Sequence, residues 1–597
     1  MYLRCHTRCT DGKEHRYWSL LEKRRVADGR ILDRPLLYLG EINDAQQAAW
    51  TRTIAAFDPV TQRPQTLALF PDDRPLPDHA AGYGVQVRLS EFRLHRPRQW
   101  GACWLALQLW DGLQLGDFWR DRLPSSRAGT SWYHLLQVLT AYRLIDPGSE
   151  WRLPRDWFLG TALGDLLDED FALVAKDNPY RCLDRLLAHK TELFTFLRAR
   201  WKDLFGVTFD VLLYDLTSTY FESDPPFPDA DKRRFGYSRD HRPDCVPVVI
   251  ALIVTPEGFP LAYEVLAGNT TDKTTLREFL AKIEKQYGQA RRTWLMDRGI
   301  PTEDVLAEMR ASAPPVQYVV GTPKGRLSVL EARLTDCPWQ QARPSVQVKL
   351  LPHEGELYVL VRSADRVHKE RAIRRRKLKA LWARLKELQA QRPSYEALLL
   401  KLGAAKAAAG RVWALVEVTL PAPPTTKKAR ARRVDLTFTL NRAALRTVWR
   451  REGRYLVRTN LTETGPAKVW EFYLLLVTIE AAFKNLKGDL ALRPIYHQRA
   501  DRIEAHLFVA FLAYCLHATL RAKLRGKAPG LTPRAVREKF SAMQMLDVHF
   551  PATDGRELIF TRYTQPEPEP QLLLEQLGWR LPAQPPPRIT AKREVTL

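Results

Sequence analysis

Five short apolar runs between residues 209 and 320 constrain this chain more than any other feature. They are Phe209 to Tyr214, Val246 to Thr255, Leu261 to Leu266, Thr293 to Met296 and Val316 to Val320. Each has the length and the aliphatic or β-branched content of a buried strand. Pro256-Glu257-Gly258 marks a tight turn between the second and third. Helical periods occupy Thr275 to Tyr287 and residues 302–312. The order is β-β-β-α-β-α-β, which predicts a mixed α/β sheet containing one antiparallel three-strand meander.

The flanking regions have different textures. Residues 1–100 contain strand-like runs such as Leu36 to Leu39, a helical stretch over 42–58, and a Pro- and Arg-rich irregular part. Residues 101–205 read as helical, with Leu135, Leu136, Leu139 and Tyr142 at helical spacing, and are a candidate DNA-binding domain. The sheet pattern fills 206–321 and breaks over 322–465. There, strands near Val346–Leu351 and Leu357–Val361 precede a charged helix from Asp365 to Gln391. A partner helix over 394–409, closing at Gly410, makes a helical hairpin, and further strands follow at Val412–Leu420 and Val434–Leu440. Residues 466–526 return to helix, over 468–487 and again from Ala500 to Leu524. The 527–597 segment is a C-terminal tail, expected to be disordered after Arg580 where Pro585-Pro586-Pro587 falls.

Lys and Arg total 92 against 68 Asp and Glu, a net charge of +24. Such an excess in a chain that is 45% hydrophobic points to a folded protein with a polyanionic partner. No apolar run approaches the ~20 residues a membrane span needs. The longest, Leu507 to Leu516, follows Glu504 and His506, so neither a membrane helix nor a secretory signal is expected. Seven widely spaced cysteines read as reduced thiols, and a cytoplasmic location, nucleoid-associated when bound to DNA, is the expectation.

Two carboxylates stand at strand ends: Asp215 directly after the first run and Asp297 directly after the fourth. Two such groups on adjacent strands can hold a hard divalent cation, although each alone also reads as a turn or cap residue. In the 468–487 helix, Tyr473, Glu480 and Lys487 share a seven-residue spacing and so form one stripe. Leu475, Ile479, Ala482, Phe483 and Leu486 would dock that helix, leaving Glu480 at the edge of the docked face. A solvated pair between Glu480 and Lys484 is the alternative. Asp272 reads as a helix cap, Glu222 as a spare carboxylate, and His497 and His506 as core or surface histidines. The run of Arg371, Arg374, Arg375, Arg376, Lys377 and Lys379 is either a DNA-facing groove or a solvated helix face.

Four stretches together carry a resemblance: Tyr214-Asp215-Leu216-Thr217-Ser218-Thr219-Tyr220-Phe221-Glu222, Gly268-Asn269-Thr270-Thr271-Asp272, Asp297-Arg298-Gly299, and Tyr473 with Glu480-Ala481-Ala482-Phe483-Lys484-Asn485-Leu486-Lys487. Over roughly residues 205–525 the chain resembles the DDE transposases of bacterial insertion sequences, in the branch with a Tyr-Arg-Glu-Lys signature. That branch belongs to the retroviral-integrase superfamily with an RNase H-like core. The resemblance implies an RNase H-like mixed sheet, with a strand-plus-helical-hairpin insertion before the catalytic Glu helix. It implies Asp215, Asp297 and Glu480 as catalytic and metal-binding residues, holding two Mg²⁺ ions for which Mn²⁺ can substitute. Tyr473 and Lys487 would contact the element end, with Lys484 and Arg298 beside them. The signature Arg position holds Leu476, and Ile300 replaces the aromatic that often follows Gly299. The implied activity is metal-dependent cleavage at transposon ends and strand transfer into target DNA, that is, cut-and-paste transposition. The implied partners are double-stranded DNA (terminal inverted repeats and target) and a second copy in a homodimeric synaptic complex. A nuclease that cuts without strand transfer, and a non-catalytic DNA-binding relic, are the alternatives; acidic residues at all three positions disfavour the relic.

Overall fold

The computed structural model describes residues 2–10, 13–25, 31–41, 53–58, 63–68, 87–222, 231–236, 242, 244–270, 281, 292–297, 301–322, 330, 333–334, 337–420, 434–461, 465–493 and 495–590. The chain divides into two compact units, Met1–Arg200 with Asn485–Leu597, and Trp201–Lys484. The first divide lies close to the expected start of the sheet region. The second falls inside a helix, so the expected 466–526 segment is shared between the units.

The Trp201–Lys484 unit is built on one nine-stranded sheet. Its strands in chain order are β1 (Val211–Phe221), β2 (Val246–Val254), β3 (Pro260–Ala267), β4 (Thr293–Met296), β5 (Gln317–Thr322), β6 (Gln340–Arg343), β7 (Val346–His353), β8 (Glu356–Ser363) and β9 (Arg454–Thr459). Across the sheet the order is β6-β7-β8-β9-β5-β4-β1-β2-β3. β1, β2 and β3 form the expected antiparallel meander, while β1, β4 and β5 run parallel. Every residue of β2 is buried, as a strand covered on both faces requires. Gly258, at φ +88°, closes the β2–β3 turn and its N–H donates to the Thr255 carbonyl at 2.8 Å. Helix α1 (Glu303–Ala311) starts at Thr302, whose hydroxyl accepts from the Val305 N–H at 3.2 Å. The helix expected over Thr275 to Tyr287 lies outside the described residues.

Two features of this sheet depart from expectation. β1 does not stop before Asp215: it continues to Phe221 because Thr217, Thr219, Tyr220 and Phe221 are good strand residues and pair with β2. Four strands of the 322–465 region also join the same sheet, while Val416–Thr419 and Thr437–Leu440 pair apart from it as a two-stranded ribbon. β9, which the sequence pattern does not reveal, pairs antiparallel with β5 on one side and β8 on the other.

A buried ionic network ties that junction. Arg458 of β9, 3% exposed, pairs with Glu303 through two bonds of 2.9 Å and with Glu356 of β8 at 3.1 Å. Tyr318 of β5 and Tyr358 of β8 both donate to the Glu356 carboxylate, and Arg310 of α1 lies 3.2 Å from it. The Glu356 charge is therefore matched from β5, β8, β9 and α1 at once.

The hairpin follows the sequence closely. Helix α2 (Ala364–Gln391) begins at Ser363, whose hydroxyl accepts from the Arg366 N–H, and α3 (Tyr395–Ala409) ends at Gly410 with φ +57°. Leu381, Leu385, Leu388, Leu398 and Leu402 form their common core with Leu445 of α4 (Arg442–Arg451). The 468–487 helix is interrupted: α5 (Pro466–Leu474) and α6 (Leu476–Lys487) meet at Leu475. There the Leu475 N–H bonds Phe472 O and the Thr478 N–H bonds Leu475 O, three-residue steps that tighten the turn.

In the other unit, helices Gly101–Gly112 and Trp132–Ile145 pack with Ala500–Leu524. By length and composition the last could cross a membrane, but 94% of its apolar window is buried inside the protein, as in a core helix. Thr53–Asp58 is a strand paired with Arg63–Ala68, not helix as its sequence suggests. The tail is also ordered further than expected. Arg588–Ile589 adds to the sheet formed by Arg93–Gln99, Gln544–Pro551 and Glu557–Tyr563, and Gln584 bonds both backbone groups of Tyr563.

Replacing Arg458 by Met leaves Glu356 buried without its closest cation. Removing one partner of a buried pair costs about 3–5 kcal/mol, and Arg310 keeps the loss near the lower figure. Amide hydrogen exchange in β5 and β9 should accelerate accordingly; unchanged protection there would show that the network does not hold the junction.

Candidate active site

The β1–β4 register fixes the first two carboxylates. Leu213 pairs with Leu295 and Tyr214 with Met296, so Asp215 and Asp297 each follow the last paired residue, Asp297 just past the end of β4. Neighbouring strands lie about 4.8 Å apart and paired residues project to the same face. Asp215 is half-buried between Tyr214 and Leu216, and its Oδ1 accepts from the Leu216 N–H at 2.7 Å. Asp297, also half-buried, stands where β4 stops, one residue past Met296. β1 carries on beyond it, so one carboxylate sits mid-strand and the other at a strand end.

Glu480 belongs to α6, in the same unit. Leu476, Ile479, Ala482, Phe483 and Leu486 form the buried stripe of this helix, while Leu475 sits at the break and is only half-buried. At 100° per residue Glu480 falls about 40° from Leu476, at the rim of the buried stripe. It is exposed. The Thr478 hydroxyl donates to Pro256 O at 3.4 Å, which seats α6 against the β2–β3 turn. α5 lies along β5, β7, β8 and β9. Leu476, at the signature Arg position, is 7% exposed and so does docking work that a guanidinium could not do without a buried partner.

The remaining expected residues separate. Tyr473, at the end of α5, is half-buried with its ring 5.7 Å from that of Tyr455, whose hydroxyl accepts from Trp470 Nε1. Lys484 is exposed and Lys487 half-buried on α6. Arg298 and Asp272 lie outside the described residues. Glu222 is paired with Arg242 at 3.1 Å. Gly268 explains itself: a Cβ there would meet Pro247 O at 2.0 Å and Arg234 O at 2.3 Å, so only glycine admits this approach at the end of β3.

Among the described residues, the only trio of ligand-type side chains with atoms all within 4.8 Å of one another is Glu150, His497 and His506. Asp215, Asp297 and Glu480 are not brought within that distance of one another. The Glu150 trio is fully buried and bonded internally: His497 Nε2 lies 3.1 Å from Oε2, and His506 Nδ1 2.9 Å from Oε1. Arg143 stands 3.7 Å from the same carboxylate and donates to Ala491 O and Gly148 O, both at 3.1 Å. Burial raises the Glu150 carboxyl, and the two histidines outweigh it and hold it well below the usual carboxylate range. Burial, with Arg143 alongside, pushes the His506 imidazole down to about 4. The guanidinium already supplies the charge a cation would bring, so this is a structural knot. Glu150 lies 347 residues from His497, and no spacing rule links them.

A family model for the transposase DDE domain matches residues 208–516, and the chain belongs to that family. It is a DDE transposase by family. No curated protein matches it. Among solved structures it is similar to a piggyBac transposase synaptic complex with hairpin DNA, at 9% identity and TM-score 0.34, over 74% of this chain and 79% of that one. It is also similar to a Mos1 transposase paired-end complex with left transposon end, at 11% identity and TM-score 0.11, over 28% of this chain and 52% of that one. A Mos1 mariner paired-end complex with Mn gives 12% identity and TM-score 0.12, over 36% and 65% of the two chains.

The histidine knot has a pH signature. His506 is depressed in the folded chain, so below about 6.5 the unfolded chain takes up a proton that the folded one refuses until about 4. Stability is full above that window and falls through it as pH drops, at up to about 1.4 kcal/mol per pH unit. The thermal midpoint of the intact chain should decline from pH 6.5 to 4, and less steeply in His506→Gln. Equal slopes for both proteins would remove His506 from the titration.

Proposed function

We propose that this chain cuts DNA at the ends of its own mobile element and joins the freed ends to target DNA, with Asp215, Asp297 and Glu480 as the catalytic carboxylates. The observation that supports the reading is the β1–β4 register, whose last pair, Tyr214 with Met296, stands one residue before Asp215 and Asp297. The strand order β3-β2-β1-β4-β5, with its meander and parallel pairs, is that of an RNase H-like core. In this reading β6 to β9 and the α2–α3 hairpin are the insertion before the Glu helix.

The donor set fits hard divalent cations: oxygen ligands only, half-buried or exposed. Two Mg²⁺ ions, or Mn²⁺ in their place, would activate the attacking water or 3′-hydroxyl and stabilise the leaving oxygen. The protein's part is positional. β1 and β4 hold two carboxylates at fixed separation, and the Leu216 N–H holds one Asp215 oxygen in place. The α6 helix, docked by Ile479, Ala482 and Phe483, presents Glu480 at its rim. Tyr473, Lys484, Lys487 and Arg298 are proposed as contacts to the DNA strand being processed. A pair of chains acting on paired ends is the proposed assembly.

Asp215→Asn, Asp297→Asn and Glu480→Gln should each reduce cleavage of a supercoiled plasmid carrying the element's ends to background with Mg²⁺ present, while end binding in a gel-shift assay stays within a few-fold. Any of the three cutting at the wild-type rate would remove that residue from the site. Joined products from the wild type identify a transposase; nicks without joining identify a nuclease.

A further inference from the structure

The α2 and α4 helices present a one-signed face that the catalytic carboxylates do not use. From Arg371 to Lys386 the sequence of α2 holds no acidic residue. Arg375, Arg376, Lys377, Lys379 and Lys386 are all exposed, and none forms an ion pair among the described residues. Arg375, Lys379 and Lys386 lie within about 40° of one another around the helix. On α4, Arg442, Arg446 and Arg450 recur every fourth residue, about 6 Å apart along the axis, and all are exposed. Some exposed arginines elsewhere carry partners, as Arg88 with Glu91, Arg499 with Asp501 and Arg534 with Glu538, while scattered ones such as Arg127 and Arg411 form no ion pair among the described residues.

The two helices that carry these rows are tied to each other. Glu452, directly after α4, is 5% exposed and accepts from Arg374 at 2.6 Å and Arg371 at 3.3 Å. Leu445 of α4 belongs to the same core as Leu381 and Leu385 of α2. Trp449 is half exposed, and Arg374 lies 5.8 Å from its ring centroid, so an indole projects beside the cations. The nearby acids are spent: Glu452 as above, and Glu370 on Arg366 and the Gly453 N–H. Uncompensated like charges at one-turn spacing repel, and the arrangement is favourable only against a polyanion.

We propose that this α2–α4 face binds duplex DNA through its phosphates, without reading base sequence. The inference rests on the transposase reading and names a DNA surface apart from the carboxylates. Rows of Arg and Lys suit phosphate oxygens, whose contacts carry no base sequence and make affinity salt-dependent. A surface of this kind serves DNA of arbitrary sequence, which is what target or flanking DNA presents.

The test uses the full chain, a duplex of arbitrary sequence, and fluorescence anisotropy at about 50 to 200 mM salt. In a variant carrying Arg375→Gln, Lys379→Gln, Arg446→Gln and Arg450→Gln, the slope of log affinity against log salt should shrink by about 0.9 for each phosphate no longer neutralised. Single variants Arg375→Gln and Arg446→Gln, checked for an unchanged melting profile, should each lower the slope by about 0.9. An unchanged slope in folded variants overturns the proposal, as does loss of binding to phosphatidylserine vesicles with duplex affinity intact, which would make the face a membrane surface. Plasmid cleavage by the wild type, run in parallel, separates the two claims. Cleavage with an unchanged variant slope rejects the surface and leaves the transposase reading standing. A wild type that binds no duplex at all rejects both.

Discussion

The parallel pairing of β1 with β4 is the constraint on which the candidate site depends. This pairing sets the residues just before Asp215 and Asp297 next to each other, which chain proximity cannot do across a gap that includes β2, β3 and the residues after them. A one-residue slip in the register would turn one carboxylate to the opposite face, since side chains alternate along a strand. The register is secured by burial: Leu212, Leu213, Tyr214, Trp294, Leu295 and Met296 are each no more than 1% exposed. Each would lose its packing in a slipped pairing. The two carboxylates are thus positioned by apolar side chains that take no part in chemistry.

The same sheet explains how a long excursion of chain is absorbed without loosening the centre. β9 returns antiparallel between β5 and β8, so the extra strands prolong the sheet beside β5 instead of standing away from it. An added antiparallel strand would leave polar groups buried at the seam. Here the polar groups are collected around Glu356, with Arg458, Arg310 and two tyrosine hydroxyls converging on one carboxylate. A fully matched buried network is tolerated where a partly matched one is costly. The helices α2, α3 and α4 then carry a leucine core of their own, so the excursion adds a packed body at the far side of the added strands.

Much of this was readable from the residues. Five strands and the α2–α3 hairpin follow from local apolar periods, which report burial directly. That Asp215 and Asp297 stand in or beside strands was legible because each neighbours a run whose type was unambiguous, although β1 runs on past Asp215. What escaped has a common cause. β9, with Arg454 and Arg458 in six residues, looks polar, yet Arg458 is neutralised by Glu303 and Glu356, far away in the chain. The break at Leu475 leaves no mark, since leucine suits both a helix and the tight turn found there. Thr53–Asp58 and the tail at Arg588–Ile589 are strands because of what they pair with, and pairing partners are not written locally. The Glu150 knot joins residues from distant segments for the same reason.

Leu476 illustrates how a local departure and a global one are linked. The signature of the resembling family places an arginine there, and this chain places a leucine that is buried against the body of its unit. The exchange strengthens the docking of α6, adding apolar area worth roughly 1.5–3 kcal/mol for a fully buried side chain. It also removes a cation from beside Glu480. Lys484, one turn further along the exposed side of α6, is left as a neighbouring cation at i, i+4 from Glu480. A lysine there is a mobile point charge, where a buried arginine would be a fixed fork. Leu476 therefore seats the helix where the resembling signature has an arginine, and exposed positive charge is carried on faces such as α2 and α4. On the proposed reading, affinity for DNA then comes from diffuse phosphate contacts, while the sheet and the docked α6 helix carry the candidate carboxylates.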